Sequence, residues 1–210
     1  MLARLLEAIA PALCVACGCH AGHSEPLCSS CRARLSWLGP APERCGALVV
    51  WAPLSYDGPA RAVVGALKYR GLWSLVELMA AHMAANAPPG LLAGRALVPV
   101  PVHPARRRRR GFNQAERLAV ALGQRTGADV CDCLRRWGSR RAQVGRARSQ
   151  RLASIDGSVG VRRGAPAPAR ALLVDDVITT GATLAACAGA LVAGGAADVA
   201  AIAYARTPGR

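Results

Sequence analysis

Four cysteines near the start of the chain, Cys14-Val-Ala-Cys17 and Cys28-Ser-Ser-Cys31, stand as C-x2-C-x10-C-x2-C. Each tight pair turns the backbone on itself, and two such pairs let four thiolates converge on one tetrahedral Zn2+ at about 2.3 Å. Cys14, Cys17, Cys28 and Cys31 are therefore expected to be zinc ligands. Four protein ligands close a zinc site, so the expected role is structural. The other readings of these cysteines are disulfides or loose thiols. Cys19, His20 and His23 lie inside the spacer and are read as bystanders. Cys131, Cys133 and Cys187 are read as small packing residues.

A second group follows an apolar run, Leu172-Leu173-Val174-Asp175-Asp176-Val177-Ile178-Thr179-Thr180-Gly181-Ala182-Thr183. A strand that ends in two carboxylates and a threonine-rich loop that opens a helix form an anion cradle. The hydroxyls and the unpaired amides of the first helical turn supply the donors. Gly181 lets backbone approach a phosphate closely. Two carboxylates beside such a cradle suit the hydroxyls of a sugar whose phosphate it holds, and the string describes a pentose 5-phosphate site. The bland alternative is a capped helix after a strand, with a solvated Asp pair.

Two arginine-rich stretches are candidates for contact with anions. Val98-Pro99-Val100-Pro101-Val102-His103-Pro104 leads into Arg106, Arg107, Arg108, Arg109 and Arg110, then Gly111-Phe112-Asn113-Gln114. It reads as a strand feeding a cationic loop, followed by a helix. Adjacent guanidinium groups repel unless anions come near, so phosphate or nucleic-acid contact competes with a solvated charge run. Leu134 to Ala153 carries seven arginines with little apolar pattern. It reads as a basic loop, able to close over an anionic ligand or merely exposed.

These residues need a scaffold, and the apolar pattern supplies one. Strands are expected at Leu48–Leu54, Ala96–Val102, Ala171–Val177 and Val199–Ala205. Helices are expected at Pro59–Tyr69, Ser74–Asn86, Gln114–Gly127 and Thr183–Ala193. Alternating strands and helices imply an α/β fold, a parallel sheet flanked by helices, with ligands at the carboxyl ends of the strands. Trp37 to Cys45, with Gly39, Pro40 and Pro42, reads as a linker. The chain then divides into residues 1–46, an N-terminal helix and four-cysteine zinc-binding module, and 47–210, the α/β domain.

Composition narrows the function. The 210 residues hold 27 Lys+Arg against 12 Asp+Glu, a formal net charge of +15. Lys68 is the sole lysine, so arginine, the residue suited to bidentate phosphate contact, dominates. The excess points to a polyanionic partner. Without a second lysine there is no Walker A loop, which excludes an ordinary P-loop NTPase. Four Trp, three Tyr and one Phe supply an aromatic stacking platform poorly. Arg4 and Glu7 interrupt any signal-peptide core, and alanine, glycine and threonine together make up most of the uncharged run Val177–Ala197. The expectation is a cytoplasmic protein without membrane insertion.

The string Val174-Asp175-Asp176-Val177-x-Thr179-Thr180-Gly181-Ala182-Thr183 resembles the phosphoribosyl-pyrophosphate signature of type I phosphoribosyltransferases. With Pro11-x-x-Cys14-x-x-Cys17, Leu67-Lys68-Tyr69-x-Gly71, Val98-Pro99-Val100-Pro101-x-His103 and Arg110-Gly111-Phe112-Asn113-Gln114, the layout resembles the ComF family in order over nearly the whole chain. The resemblance implies a type I phosphoribosyltransferase fold with a small N-terminal zinc-binding module. It implies that Asp175 and Asp176 hold the ribose hydroxyls and that Thr179, Thr180, Gly181, Ala182 and Thr183 bind the 5-phosphate. It places His103 and Arg106, Arg107, Arg108, Arg109 and Arg110 against the pyrophosphate, with Mg2+ bound alongside the substrate. It names no acceptor and no general base. Some members of the family serve DNA uptake in competence, so a non-catalytic accessory protein is the alternative. That protein would bind single-stranded DNA and assist a helicase-like partner. The chain departs from the family pattern in two ways. Its cysteine array is short, with Cys45 as a remnant of a longer one. In the basic segment Gln143 and Arg151 fit, while Ser154 stands where Asn is usual.

Overall fold

A computed structural model describes residues 13–22, 25–137 and 158–208. The central strand is β7 (Arg170–Ile178), whose Leu172, Leu173 and Val174 are inaccessible to water. Strands β4 (Ala96–Pro99) and β8 (Asp198–Arg206) pair with it in parallel, one on each side. Beyond β8 lies β2 (Leu48–Trp51), also parallel. The chain breaks at Ala52-Pro53 and resumes as β3 (Leu54–Ser55), which pairs further along β8. Proline cannot donate to a ladder, which explains why the expected single strand splits. Prolines also shorten β4, which ends at Pro99 rather than Val102.

The segment expected to be a linker is in part a strand. β1 (Glu43–Cys45) pairs antiparallel with β2 and forms the sheet edge. An ion pair from Glu43 to Arg206 ties it across to the end of β8. Just upstream, Trp37 bridges Leu54 and the Trp51 indole donates to Gly39 O at 3.1 Å. The prolines and glycines of this stretch mark turns, but the backbone between them satisfies its hydrogen bonds on the sheet.

Helices cover both faces, as a parallel sheet requires. α2 (Gly58–Arg70), α3 (Leu75–Asn86) and α5 (Gln114–Thr126) bury Val63, Leu67, Met79, Met83, Leu118 and Leu122 against one face. α6 (Ala182–Ala193) buries Leu184, Cys187 and Leu191 on the other. An antiparallel hairpin of β5 (Leu134–Arg136) and β6 (Val159–Val161) packs there too. The basic stretch was expected to be loop throughout, and β5 corrects its first residues. Positions 138–157, with Gln143, Arg151 and Ser154, lie outside the described residues, as does the expected N-terminal helix before Leu13.

The arginine run is also not a loop. It forms the short helix α4 (Pro104–Arg110), with Pro104 at its first position and Gly111 closing it at φ 77°. Arginine is a good helix former, and a helix spaces guanidinium groups around its circumference instead of crowding them on one side. The cysteine module carries its own short helix, α1 (Ser29–Ala33), and Cys14, Leu27, Cys31 and Leu35 join the core on the α2–α3 face. Among the described residues no helix is long and apolar enough to cross a membrane.

Candidate functional site

The cysteine pairs meet as their spacing predicts. The Sγ atoms of Cys14, Cys17, Cys28 and Cys31 all lie within 4.8 Å of one another, and those of Cys17 and Cys28 are 3.7 Å apart. Tetrahedral zinc with bonds of about 2.3 Å separates its sulfurs by about 3.8 Å, so the donor set fits zinc. Local structure does the gathering. Gly18 at φ 75° turns the first pair, and its amide donates to Cys14 O at 2.9 Å. Cys28 caps α1, with its sulfur accepting from the Cys31 amide at 3.5 Å. Burial works against ionisation of Cys14, but amide hydrogen bonds from Cys28, Cys17 and Ala16 bring its pKa down to about 6. Burial and then the crowd of neighbouring thiols push Cys31 up to about 12. Four close sulfurs cannot all ionise without a cation between them, and a divalent metal supplies it. Cys19 and His20 are exposed and outside this group.

The carboxylates occupy the carboxyl end of the central strand. Side chains alternate across a strand, and Leu172 and Val174 face the α2–α3 layer while Ala171 and Leu173 face α6. Asp176 accordingly turns toward α2, where Lys68 Nζ sits 2.7 Å from its Oδ1. Asp175 turns the other way and accepts the Asp176 amide at 2.8 Å. Loss of water around Asp175, and then the Asp176 charge, raise its pKa to about 7. Near neutral pH Asp175 is thus poised between acid and carboxylate. The alternative of a solvated Asp pair does not describe it, because Asp176 is only 6% exposed.

A cavity of about 230 Å3 opens over this strand end. Of the residues singled out in the sequence, His103, Arg106, Arg110, Asp175, Asp176, Thr179 and Thr183 line it. Thr180, Gly181 and Ala182 form the turn below. The Thr180 hydroxyl accepts from the Ala182 amide at 3.4 Å, and Thr207 holds the loop by donating to the carbonyls of Ile178 and Thr179. Gly181 adopts φ 73° and begins α6. A Cβ there would lie 2.1 Å from the Cys45 sulfur, so glycine is required for space as well as conformation. Cys45, read in the sequence as the remnant of a longer cysteine array, is the support beneath that turn. Arg107 and Arg108 face a neighbouring cleft instead, and Arg109 lines neither space.

Several lining residues were not picked out for this role. Lys68 neutralises Asp176, and Tyr56 and Arg136 complete the rim. Asn113 caps α5 by accepting the Ala115 amide and donates to Val100 O at 3.1 Å, which pins α5 to the segment after β4. That pin buries Gln114 to 3% exposure, and its Nε2 has no hydrogen-bond partner. Arg110 Nε is likewise buried and unpaired. Both residues line the cavity, and buried donors without partners are rare in folded proteins. His103 Nδ1 accepts the Ala105 amide at 3.2 Å, so the neutral ring carries its proton on Nε2. The signal for Gln114 and Asn113 was present as polar residues directly before an apolar helical period, but their burial depends on the fold.

The cavity can therefore hold a molecule with phosphate oxygens on the threonine and arginine sides and hydroxyls toward the carboxylates. No protein-family model matches the chain, and no curated protein matches it.

Proposed function

We propose that this protein is a phosphoribosyltransferase-like member of the ComF family that binds phosphoribosyl pyrophosphate in the cavity above Asp175 and Asp176. The observation that carries the reading is the joint placement of two carboxylates, a threonine-glycine turn at a helix start and two donors without partners, Arg110 Nε and Gln114 Nε2, around one small cavity. On this reading the fold is that of type I phosphoribosyltransferases, and the protein works in the cytoplasm. Asp175 and Asp176 take the ribose hydroxyls, and the turn from Thr179 to Thr183 takes the 5-phosphate. His103 Nε2, Arg106, Arg110 and Gln114 meet the diphosphate. A nucleophile displaces pyrophosphate from C1 through an oxocarbenium-like state, and the chain contributes positioning and electrostatic stabilisation of the leaving group. Mg2+ bound with the substrate would screen the diphosphate charge. The test is calorimetric titration of phosphoribosyl pyrophosphate with Mg2+ into the wild type and into Asp175→Asn/Asp176→Asn. Micromolar binding confined to the wild type supports the reading, and no binding by either protein sinks it.

A second reading is favoured by one surface. Beside α4, Arg110 lies 5.4 Å from the Tyr69 ring, while Arg117 stacks 3.9 Å from Trp73, which meets Phe112 edge-on at 4.0 Å. Tyr69 and Trp73 are exposed. Three of the eight aromatics thus gather beside arginines, as single-stranded DNA binding would need. That would suit an accessory protein working beside a helicase-like partner. Replacing Arg106 to Arg109 should then flatten the salt dependence of DNA binding. An unchanged slope excludes that helix as the contact.

A further inference from the structure

One cleft carries more positive charge than the proposed reaction assigns to it. It lies between α4 and the β5–β6 hairpin, with a volume of about 440 Å3. Arg107 and Arg108 stand on the helix wall, and Arg135, Arg136 and Arg162 on the hairpin side. Against these five guanidinium groups the lining offers one carboxylate, Asp132, which pairs with Arg162 at 2.6 Å. Arg162 is held further by donating from Nε to Leu134 O at 3.1 Å. Arg107 reaches Glu116 only at 3.8 Å, outside the lining of the cleft. Arg108 and Arg135 are exposed and make no ion pair among the described residues. Two separate elements thus present like charges across a concave gap. Such an arrangement repels itself in water and becomes favourable when an anion lies between the walls.

We propose that this cleft is a second anion site, separate from the Asp175–Asp176 cavity, which takes the phosphate or diphosphate group of a small molecule. Its size suits a nucleotide or short polyphosphate. The lining residues other than Pro101, Val102, Pro104 and Leu134 are all charged or polar, so charge rather than shape in an apolar pocket would select the ligand. The two spaces share Pro101, Val102, Asn113 and Arg136, so molecules bound in them lie side by side. If the first cavity holds the sugar donor, which rests on the reading above, the occupant of the second is the acceptor. Its chemical class is then a phosphate-bearing nucleophile.

The phosphate could instead come from the diphosphate of the donor itself, reaching across the shared wall, and one experiment separates the two. Inorganic tripolyphosphate is titrated into the full chain, alone and after saturation with phosphoribosyl pyrophosphate and Mg2+. The same titrations are run on Arg108→Ser/Arg135→Ser and on Arg44→Ser/Arg61→Ser, a charge-matched control on β1 and α2, away from the cleft. We expect the saturated protein still to bind tripolyphosphate, at the cleft, after the donor's own diphosphate has filled the first cavity. The cleft variant should lose at least tenfold in that affinity, since each charge-assisted hydrogen bond contributes about that factor. Its affinity for phosphoribosyl pyrophosphate, and that of the control for both ligands, should stay within about twofold. Mutual exclusion of the two ligands would make the cleft part of the donor site and overturn the proposal. Equal loss in the control would mean that only net charge is read, and would overturn it too. Failure to bind tripolyphosphate would do the same. Arginine-dependent tripolyphosphate binding without any binding of phosphoribosyl pyrophosphate would refute the donor reading and leave the second site standing.

Discussion

Replacing Lys68 by Met should destabilise the protein by about 2–3 kcal/mol at pH 7.5. The Lys68 ammonium is 2.7 Å from Asp176 Oδ1, and the two side chains are 18% and 8% exposed. Removing one partner of a buried pair typically costs about 3–5 kcal/mol, because the other charge is left uncompensated. The partial exposure of Lys68 lowers that figure, and Met keeps the packing of the aliphatic stem. For a chain of this length each kcal/mol moves the melting temperature by about 2–4 °C, so a drop of roughly 5–10 °C is expected. Urea denaturation gives the free energy directly. The deficit should shrink toward pH 5, where Asp175 is protonated and no longer adds its charge to that of Asp176. It should also shrink when Asp176→Asn is added, with a coupling energy above about 1 kcal/mol. A Lys68→Met loss below about 0.5 kcal/mol, or additivity in the double variant, would refute the argument that Lys68 exists to neutralise Asp176.

Gly181→Ala should cost at least the 1–2 kcal/mol of a left-handed alanine, and more because its methyl collides with the Cys45 sulfur. Adding Cys45→Ala should recover the collision part only, and full recovery would show that the backbone conformation is not strained. Asp175 binds its proton with a pKa near 7 when folded and 3.8 when unfolded. The folded state therefore holds the extra proton between those values, and stability should fall as pH rises from about 4 to 7, by up to about 1.4 kcal/mol per unit. Asp175→Asn should flatten that slope, and an unaltered profile would remove Asp175 as its source. Elemental analysis should find about one zinc per chain, falling to near zero in Cys28→Ser. Chelator treatment should lower the melting temperature, since Cys14, Cys31 and Leu35 belong to the core.

Some of this protein was legible from residues alone. Cysteine spacing announced the four-thiol cluster, because each x2 turn brings its own pair of thiols together. The apolar run before Asp175 determined the central strand, since a stretch buried on both faces tolerates no polar residue until it emerges. Proline and glycine placed the ends of the main helices. Tertiary structure alone decided what lies next to what. No local pattern ties Lys68 to Asp176, Cys45 to Gly181, or the hairpin arginines to those of α4, because each pair joins residues far apart in sequence. Local signals also misled where the sheet supplied hydrogen bonds, as at Glu43–Cys45. At Arg106–Arg110, repulsion along the run favours a loop, yet arginine forms helices well and the helix prevails. A chain encodes its elements through short-range periodicity. Its site arises from how those elements pack, and packing energy is summed over contacts between distant residues.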